Sequence, residues 1–347
     1  MANKTLSNAK AAKNDEFYTQ YNDIAREVEA YVEYNKDVFR DKTVLLPCDD
    51  PEWSNFTRYF AQNFQRLGLK KLISTSYAYQ SKKYRGPIQL TLFETEAPQF
   101  DPAKTQTHGK IFVLSRDTTG DGHIDIDDLQ WRYLEGDGDF HSREVTRLRD
   151  EADIIVTNPP FSLFREFLQW IVEAEKQLLI IGSTNAITYK EVFPLIKENK
   201  LWLGITNGAK EFIKPAGGFQ KMGNTYWFTN LEHGRHHQPL QLMTMADNFK
   251  YSKHKEIKGQ TAYKHYDNYD AIEVPFTDAI PSDYDGVMGV PISFLDKYCP
   301  EQFEIIGATE SEGKGFSNGL WNEGAHIAQA TVNGNRVYKR IFIRKKQ

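Results

Sequence analysis

The chain has 347 residues, 26% charged and 40% hydrophobic, with a formal net charge of −4. That length suits about two domains. The composition excludes a disordered chain, and the net charge excludes a uniformly basic nucleic-acid coat but leaves room for local basic surfaces. Runs of about 18 apolar residues are absent, so no membrane helix is expected. The polar stretch Met1–Lys13 lacks the apolar core of a secretory signal. Two cysteines, Cys48 and Cys299, exclude a disulfide framework or a Cys-rich zinc site, and a cytoplasmic location is expected.

Lys4, Lys10 and Lys13, with no acid before Asp15, read as a basic arm, and a helix is expected over Asp23–Tyr34. Short apolar runs at Thr43–Cys48, Lys71–Tyr77, Asp153–Thr157, Leu178–Ser183 and Leu201–Ile205 have the character of buried parallel strands. Helical patterns fall between them, at Asn55–Leu67, Ser142–Asp150, Leu163–Glu175 and Tyr189–Glu198. This alternation predicts a doubly wound α/β sheet, with ligands beyond the C-terminal strand ends. After about His233 the alternation gives way to Gly/Asn/Asp-rich turns and short β patterns. There Val332-Asn333-Gly334-Asn335 signals a hairpin with a type I′ turn. A boundary is expected near residue 235, separating a catalytic domain (1–235) from a β-rich region (236–347). No internal repeat or low-complexity linker is apparent.

Charge is segregated along the chain. Leu195–Lys264 nets about +6, Tyr266–Glu312 about −10, and Arg336, Lys339, Arg340, Arg344, Lys345 and Lys346 make the last stretch basic again. Such blocks suit either solvated faces or a phosphate-facing surface set apart from the rest.

The strongest chemical signal is Asn158-Pro159-Pro160-Phe161, between the strand Asp153–Thr157 and the helix from Leu163. Two prolines stop the strand and stiffen the turn. The turn offers an amide side chain, carbonyls without competing N–H groups, and an aromatic face. That set suits gripping a planar exocyclic amine. The Asn158 side-chain oxygen takes one N–H, the Pro159 carbonyl takes the other, and Phe161 stacks on the attached ring. Catalysis would rest on positioning and dipole orientation. The competing reading is an Asx-Pro turn with a core phenylalanine. On its strand within the α/β pattern, the motif looks like the (D/N/S)PP(Y/F) signature of S-adenosylmethionine-dependent amino-methyltransferases.

The resemblance narrows further. Asp15–Tyr21, Cys48–Pro51, Gly136–Phe140, Thr157–Glu166, Asn185–Glu191, Leu195–Gly204 and Trp227–Leu231 are similar, in order, to EcoRI-type adenine-N6 DNA methyltransferases. The blocks span roughly 15–235, about two-thirds of the chain. The resemblance implies a Rossmann-like S-adenosylmethionine-dependent methyltransferase sheet with a C-terminal, β-rich target-recognition region. It also implies duplex DNA as substrate, with the adenine flipped out of the stack.

The resemblance places Phe17, Tyr18 and Thr19 over the methionine moiety of the cofactor. In Pro47-Cys48-Asp49-Asp50-Pro51 the Asp-Pro pair fits the first cofactor motif, although Ser54 and Phe56 replace its glycines. Asp49 and Asp50 suit the methionine ammonium, Ser54 offers a hydroxyl, and Asn55 is read as a helix cap. Asp139 would accept the cofactor's adenine amine, with Phe140 packing its ring. An acid at the end of Lys71–Tyr77 for the ribose is not evident. Trp227 would close the second face of the flipped base, with core packing as the alternative.

Asp117–Asp128 resembles a calcium loop, but Thr119 and Asp128 are poor matches at ligand positions, and a polar hairpin insertion is preferred. His233, His236 and His237 read as a basic DNA-facing or domain-linking loop, and no metal is expected. The expected activity is site-specific DNA adenine methylation within a restriction–modification system, with a cognate endonuclease as a further partner. GAATTC is the target that the resemblance suggests. The alternatives are methylation of an RNA or protein (glutamine) amine or amide, and a non-catalytic DNA-binding module of the same fold.

Overall fold

The computed structural model describes residues 18–47, 49, 54–78, 95–214, 218–309, 316–317 and 319–346. Of the expected cofactor residues, Phe17, Cys48 and Asp50 lie outside them. The chain forms two compact units. The first runs to Thr184 and resumes over Gly204–His233; the second comprises Asn185–Leu203 and the chain from Gly234. Asn185–Leu203 thus groups with the C-terminal part, although in sequence it lies within 1–235. Among the described residues no helix is long and apolar enough to cross a membrane.

The first unit opens with α1 (Tyr21–Tyr34), whose buried Ile24, Glu27, Val28 and Tyr31 recur at helical spacing on one face. Strand β1 (Thr43–Leu46) is wholly buried. The helix expected over Asn55–Leu67 is two, α2 (Asn55–Gln62) and α3 (Phe64–Leu67). Asn63 leaves the helical region between them, and its side-chain amide donates to the Tyr59 carbonyl at 2.8 Å. Gly68, at φ +66°, closes α3 in the left-handed conformation.

Next come β2 (Lys71–Ser76), α4 (Pro102–Thr107), β3 (Lys110–Leu114) and β4 (Gln130–Tyr133). After these lie α5 (Arg143–Glu151), β5 (Ile154–Thr157), α6 (Phe164–Val172) and β6 (Gln177–Ser183). The hairpin β8 (Gly208–Ile213) and β9 (Phe219–Thr229) completes the unit. The sheet order is β4-β3-β2-β1-β5-β6-β9, with β8 on β9. Strands β2, β1, β5 and β6 are parallel. Antiparallel hairpin strands extend both edges, so the sheet is mixed. Hairpins need no crossover helix, and they add strands where the helical alternation stops. From β1 the chain winds outward to β2 on one side and to β5 and β6 on the other. That reversal puts a switch-point crevice beyond the ends of β1 and β5.

In the second unit the short strand β7 (Trp202–Leu203) replaces the longer Leu201–Ile205 run, and the helices are α7 (Phe193–Lys197) and α8 (Met245–Tyr251). A four-stranded sheet has the order β10-β11-β15-β12, from Ile272–Glu273, Met288–Pro291, Arg340–Lys345 and Phe303–Ala308. A separate ribbon joins β13 (Thr331–Val332) to β14 (Asn335–Arg336). In the core of this unit Tyr266 meets Tyr269 and Phe342 edge-on, and Tyr269 is tilted against Phe342.

Candidate active site

The switch point brings together groups far apart in sequence. Val44 and Leu45 of β1 pair with Ile154 and Ile155 of β5, so the two strands end side by side. Beyond β1, the Asp49 carboxylate is buried, accepting from Ser54 Oγ at 2.9 Å and Thr157 Oγ1 at 2.5 Å. The Pro47 carbonyl is a second acceptor for Thr157 Oγ1, at 3.0 Å. Ser74 within β2 donates to the Asp49 carbonyl, and Thr57 of α2 donates to Ser74 Oγ at 3.1 Å. Asp49 is therefore fixed from three neighbouring elements.

Ser54, not Asn55, is the helix cap: its Oγ accepts from the Phe56 N–H at 3.2 Å. Asn55 is the first residue inside α2, and its side-chain amide donates to the Thr19 carbonyl at 2.8 Å. Tyr18 exchanges backbone hydrogen bonds of 2.9 Å with Ile213 of β8. Tyr18 and Thr19 are thus tied to the strand bearing Phe212 and to the helix that follows Asp49.

Asn158 directly follows Thr157 at the end of β5 and is partly buried; Pro159 is buried. The Leu163 N–H donates to the Pro160 carbonyl at 2.9 Å, closing the turn into α6. Phe161 packs on the core, its ring edge-on to Phe212 at 6.4 Å between centroids. The Asn158–Phe161 turn thus leads directly from Thr157, whose hydroxyl meets Pro47 and Asp49 beyond the neighbouring strand.

The loop Gly136–Asp139 lies against the end of β2. The Ala78 N–H donates to the Asp137 carbonyl at 2.7 Å. Gly138 has φ +88°, and a Cβ there would sit 2.3 Å from the Ser76 carbonyl oxygen, so only glycine allows this approach. The Asp137 carboxylate accepts from the Asp139 N–H at 3.1 Å. Asp139 Oδ1 accepts from the His141 N–H at 2.8 Å and lies 2.9 Å from His141 Nδ1, and its carboxylate is partly exposed. Phe140 is a core ring, with Phe167 and Trp170 of α6 at 5.1 and 5.6 Å.

Trp227 is fully buried on β9, its ring edge-on to Phe56 at 6.0 Å, the packing of a core residue. Lys210 Nζ lies 5.7 Å from the centre of that ring and donates to the Thr206 carbonyl at 2.5 Å. Burial lowers the Lys210 pKa, against the pull of Asp23 and Glu27. Sequence reading also missed Glu27. Its buried carboxylate accepts from the N–H groups of Ile205 and Thr206 at 2.8 and 2.6 Å, from Thr206 Oγ1 at 2.6 Å, and from Tyr31 at 2.9 Å. Glu27 thereby fixes the chain entering β8.

The segment Asp117–Asp128 is the loop of the β3–β4 hairpin. Asp117 accepts from the N–H groups of Gly120 and Gly122, and Asp128 from those of Thr118, Thr119 and Asp125. In the second unit His236 is buried, stacked on Trp202 at 4.2 Å, with Nε2 3.1 Å from Asn199 Oδ1. His237 Nδ1 lies 2.9 Å from Glu301. A buried, stacked imidazole cannot face DNA, so the DNA-facing reading fails for His236.

A crevice at a parallel-strand switch point, with an Asn-Pro-Pro-Phe turn on one lip and a buried acid on the other, is the arrangement of an amino-methyltransferase. The family model described as "Adenine-specific methyltransferase EcoRI" matches residues 5–346. Type II methyltransferase M.EcoRI of Escherichia coli is 40% identical, over 99% of this chain and 97% of that protein. Type II methyltransferase M.MpnI of Mycoplasma pneumoniae is 34% identical, over 99% of this chain and 98% of its own. Type II methyltransferase M.MgeORF184P of Mycoplasma genitalium is 33% identical, over 99% of both chains. No solved structure matches. The chain belongs to the EcoRI family of adenine-specific DNA methyltransferases, of restriction–modification type.

Proposed function

We propose that this protein methylates N6 of an adenine flipped out of a specific duplex DNA sequence, with S-adenosylmethionine as donor and with the Asn158–Phe161 turn as the amine-gripping element. One observation carries the reading: Thr157 joins that turn to the buried Asp49 carboxylate across the switch point, at 2.5 Å. The residues fit the cofactor. Asp49 supplies a fixed anionic acceptor for the methionine ammonium, with Ser54 beside it. Tyr18 and Thr19 wall the site, and Asp137 and Asp139, at the end of β2, suit the ribose hydroxyls and the adenine amine. Bound S-adenosylmethionine supplies an electrophilic methyl group.

The protein's own part is to hold the amine. Asn158 Oδ1 and the Pro159 carbonyl accept its two hydrogens, which turns the nitrogen lone pair away from the turn. Phe161 covers one face of the base. The surplus proton passes to water after attack, so no strong base is required. Flipping is needed because the amine is unreachable within the stack. Catalysis on this reading is positioning and dipole orientation. Trp227 is buried beside Phe56, which favours the core-packing reading of this residue over base stacking. A cytoplasmic location and a cognate endonuclease sharing the site complete the reading.

The test incubates purified protein with S-adenosylmethionine and unmethylated bacterial DNA and maps modified bases by long-read sequencing. N6-methyladenine at one repeated motif is expected. No modified adenine, with S-adenosylmethionine binding intact by calorimetry, overturns the reading and moves the substrate to RNA or protein.

A further inference from the structure

We infer that the β13–β14 ribbon reads base edges in the major groove of the target DNA, with Asn335 and Arg336 as its reading side chains. The inference rests on the proposed action on duplex DNA. The ribbon pairs Thr331 with Arg336 and Val332 with Asn335. Its turn residues Asn333 and Gly334 have φ +51° and +76°, the left-handed pair of a type I′ turn. Residues 333–336 are all exposed, and Arg336 has no ion-pair partner among the described residues.

A two-stranded ribbon is marginally stable by itself, yet this one is braced from beneath by three consecutive residues. Asp267 accepts from the N–H groups of Asn333 and Gly334 at 3.0 and 2.8 Å. Those amides lower the Asp267 pKa, the Gly334 bond first. The buried Asn268 accepts from the Thr331 N–H at 3.0 Å and donates to the carbonyls of Ile327 and Gln329 at 2.7 and 2.9 Å. Tyr269 donates to the Ala328 carbonyl. Bracing an exposed polar hairpin gains the core little. It does remove the ordering cost of a contact made by the tip.

The chemistry of the tip selects the partner. Of the six Lys or Arg from Gly324 on, Arg340 is buried against Glu273 and Lys345 lies 3.6 Å from Asp285, whereas Arg336 at the tip is exposed, and the stretch holds no Asp or Glu. A polyanion is the matching surface. The major groove admits a two-stranded ribbon, an asparagine amide pairs with adenine through two hydrogen bonds, and arginine pairs likewise with guanine.

The experiment first maps the wild-type motif, then measures kcat/KM on the cognate duplex and remaps the motif for variants. Asn335→Ala and Arg336→Ala should each lose about tenfold or more on the cognate duplex and relax the motif at one position. Arg336→Lys, which keeps the charge but not the fork, should relax the same position. Asp267→Ala leaves the readers in place and loosens the turn, so it should lower the cognate rate with the motif unchanged. A wild-type rate and motif in the Asn335 and Arg336 variants overturns the inference. So does a weakening uniform over all sequences with a shallower salt dependence, which marks phosphate contact alone. A wild-type chain that methylates no DNA overturns the proposed function itself, and that result is distinct from either.

Discussion

The two units place charge inside themselves in opposite ways. In the first, the Asp49 carboxylate accepts hydrogen bonds from two neutral hydroxyls, Ser54 and Thr157. Hydroxyl donors hold a carboxylate without cancelling its charge. In the second, Glu273 meets Arg340 at 2.5 Å with both side chains about nine-tenths buried, and Tyr266 donates to the same carboxylate. There the charge is neutralised in place, between strands β10 and β15. The contrast separates roles: an acid held by hydroxyls stays available to an incoming cation, whereas an acid closed by a guanidinium is architecture.

The sharpest way to break this division is at the turn beside Asp49. Asn158→Ala should lower methylation by about 100-fold or more, the scale expected when a positioned polar group is removed from a reacting centre. Calorimetry should show S-adenosylmethionine binding retained, because the Ser54 and Thr157 hydroxyls that hold Asp49 stay in place. Full activity in this variant would remove the turn from the chemistry.

The second unit should answer in stability. Glu273→Ala leaves Arg340 buried without its partner and should cost about 3–5 kcal/mol in chemical denaturation. The double variant Glu273→Leu with Arg340→Met replaces both charges and should recover much of that loss. A Glu273→Ala chain as stable as wild type would make the pair dispensable and erase the contrast.

Thr157→Val tests the link itself. The substitution keeps shape and removes one hydroxyl donor from Asp49, a loss of about 1–3 kcal/mol for a buried acceptor left short of a partner. It should appear as weaker S-adenosylmethionine binding by calorimetry, with Thr157→Ser restoring most of the affinity. Unchanged affinity in Thr157→Val would mean that Asp49 is held well enough without it.

Local signals were legible and long-range ones were not. Asn158–Phe161 announces itself because the turn chemistry lies in four consecutive residues, and Asn333-Gly334 announces its turn for the same reason. Asp49 was found although Ser54 and Phe56 stand where glycines were expected. Thr157 was not, because its partner lies 108 residues away and meets it only through the pairing of β1 with β5. Asp137 reaches the end of β2 through a backbone contact that no strand pattern foretells. Phe140 and Trp227 carry aromatic rings that suit either a ligand or a core, and only their burial tells which surroundings they have. The break at Asn63 and the clamp of Glu27 depend likewise on side chains turned onto backbone that the sequence cannot place.

The smallest expected effect concerns the β3–β4 hairpin loop, where an acid is held chiefly by backbone amides, with the Thr118 hydroxyl beside them at 3.0 Å. The Thr118 N–H, with those of Thr119 and Asp125, lowers the Asp128 pKa to about 2. An unfolded aspartate titrates near 3.9. A carboxyl depressed on folding supports the loop above the unfolded value and loses that support as the pH falls toward the folded one. The loop should therefore keep its order at neutral pH and loosen between about pH 4 and pH 2. Amide exchange at Thr118 and Thr119, followed through that window, should accelerate as Asp128 takes up its proton. Asp128→Asn should show the faster exchange already at neutral pH, with methylation unchanged, because among the described residues the Asp128 carboxylate bonds only within its own loop. Protection in Asp128→Asn equal to wild type would show that the amides are ordered by the hairpin strands and owe nothing to the carboxylate.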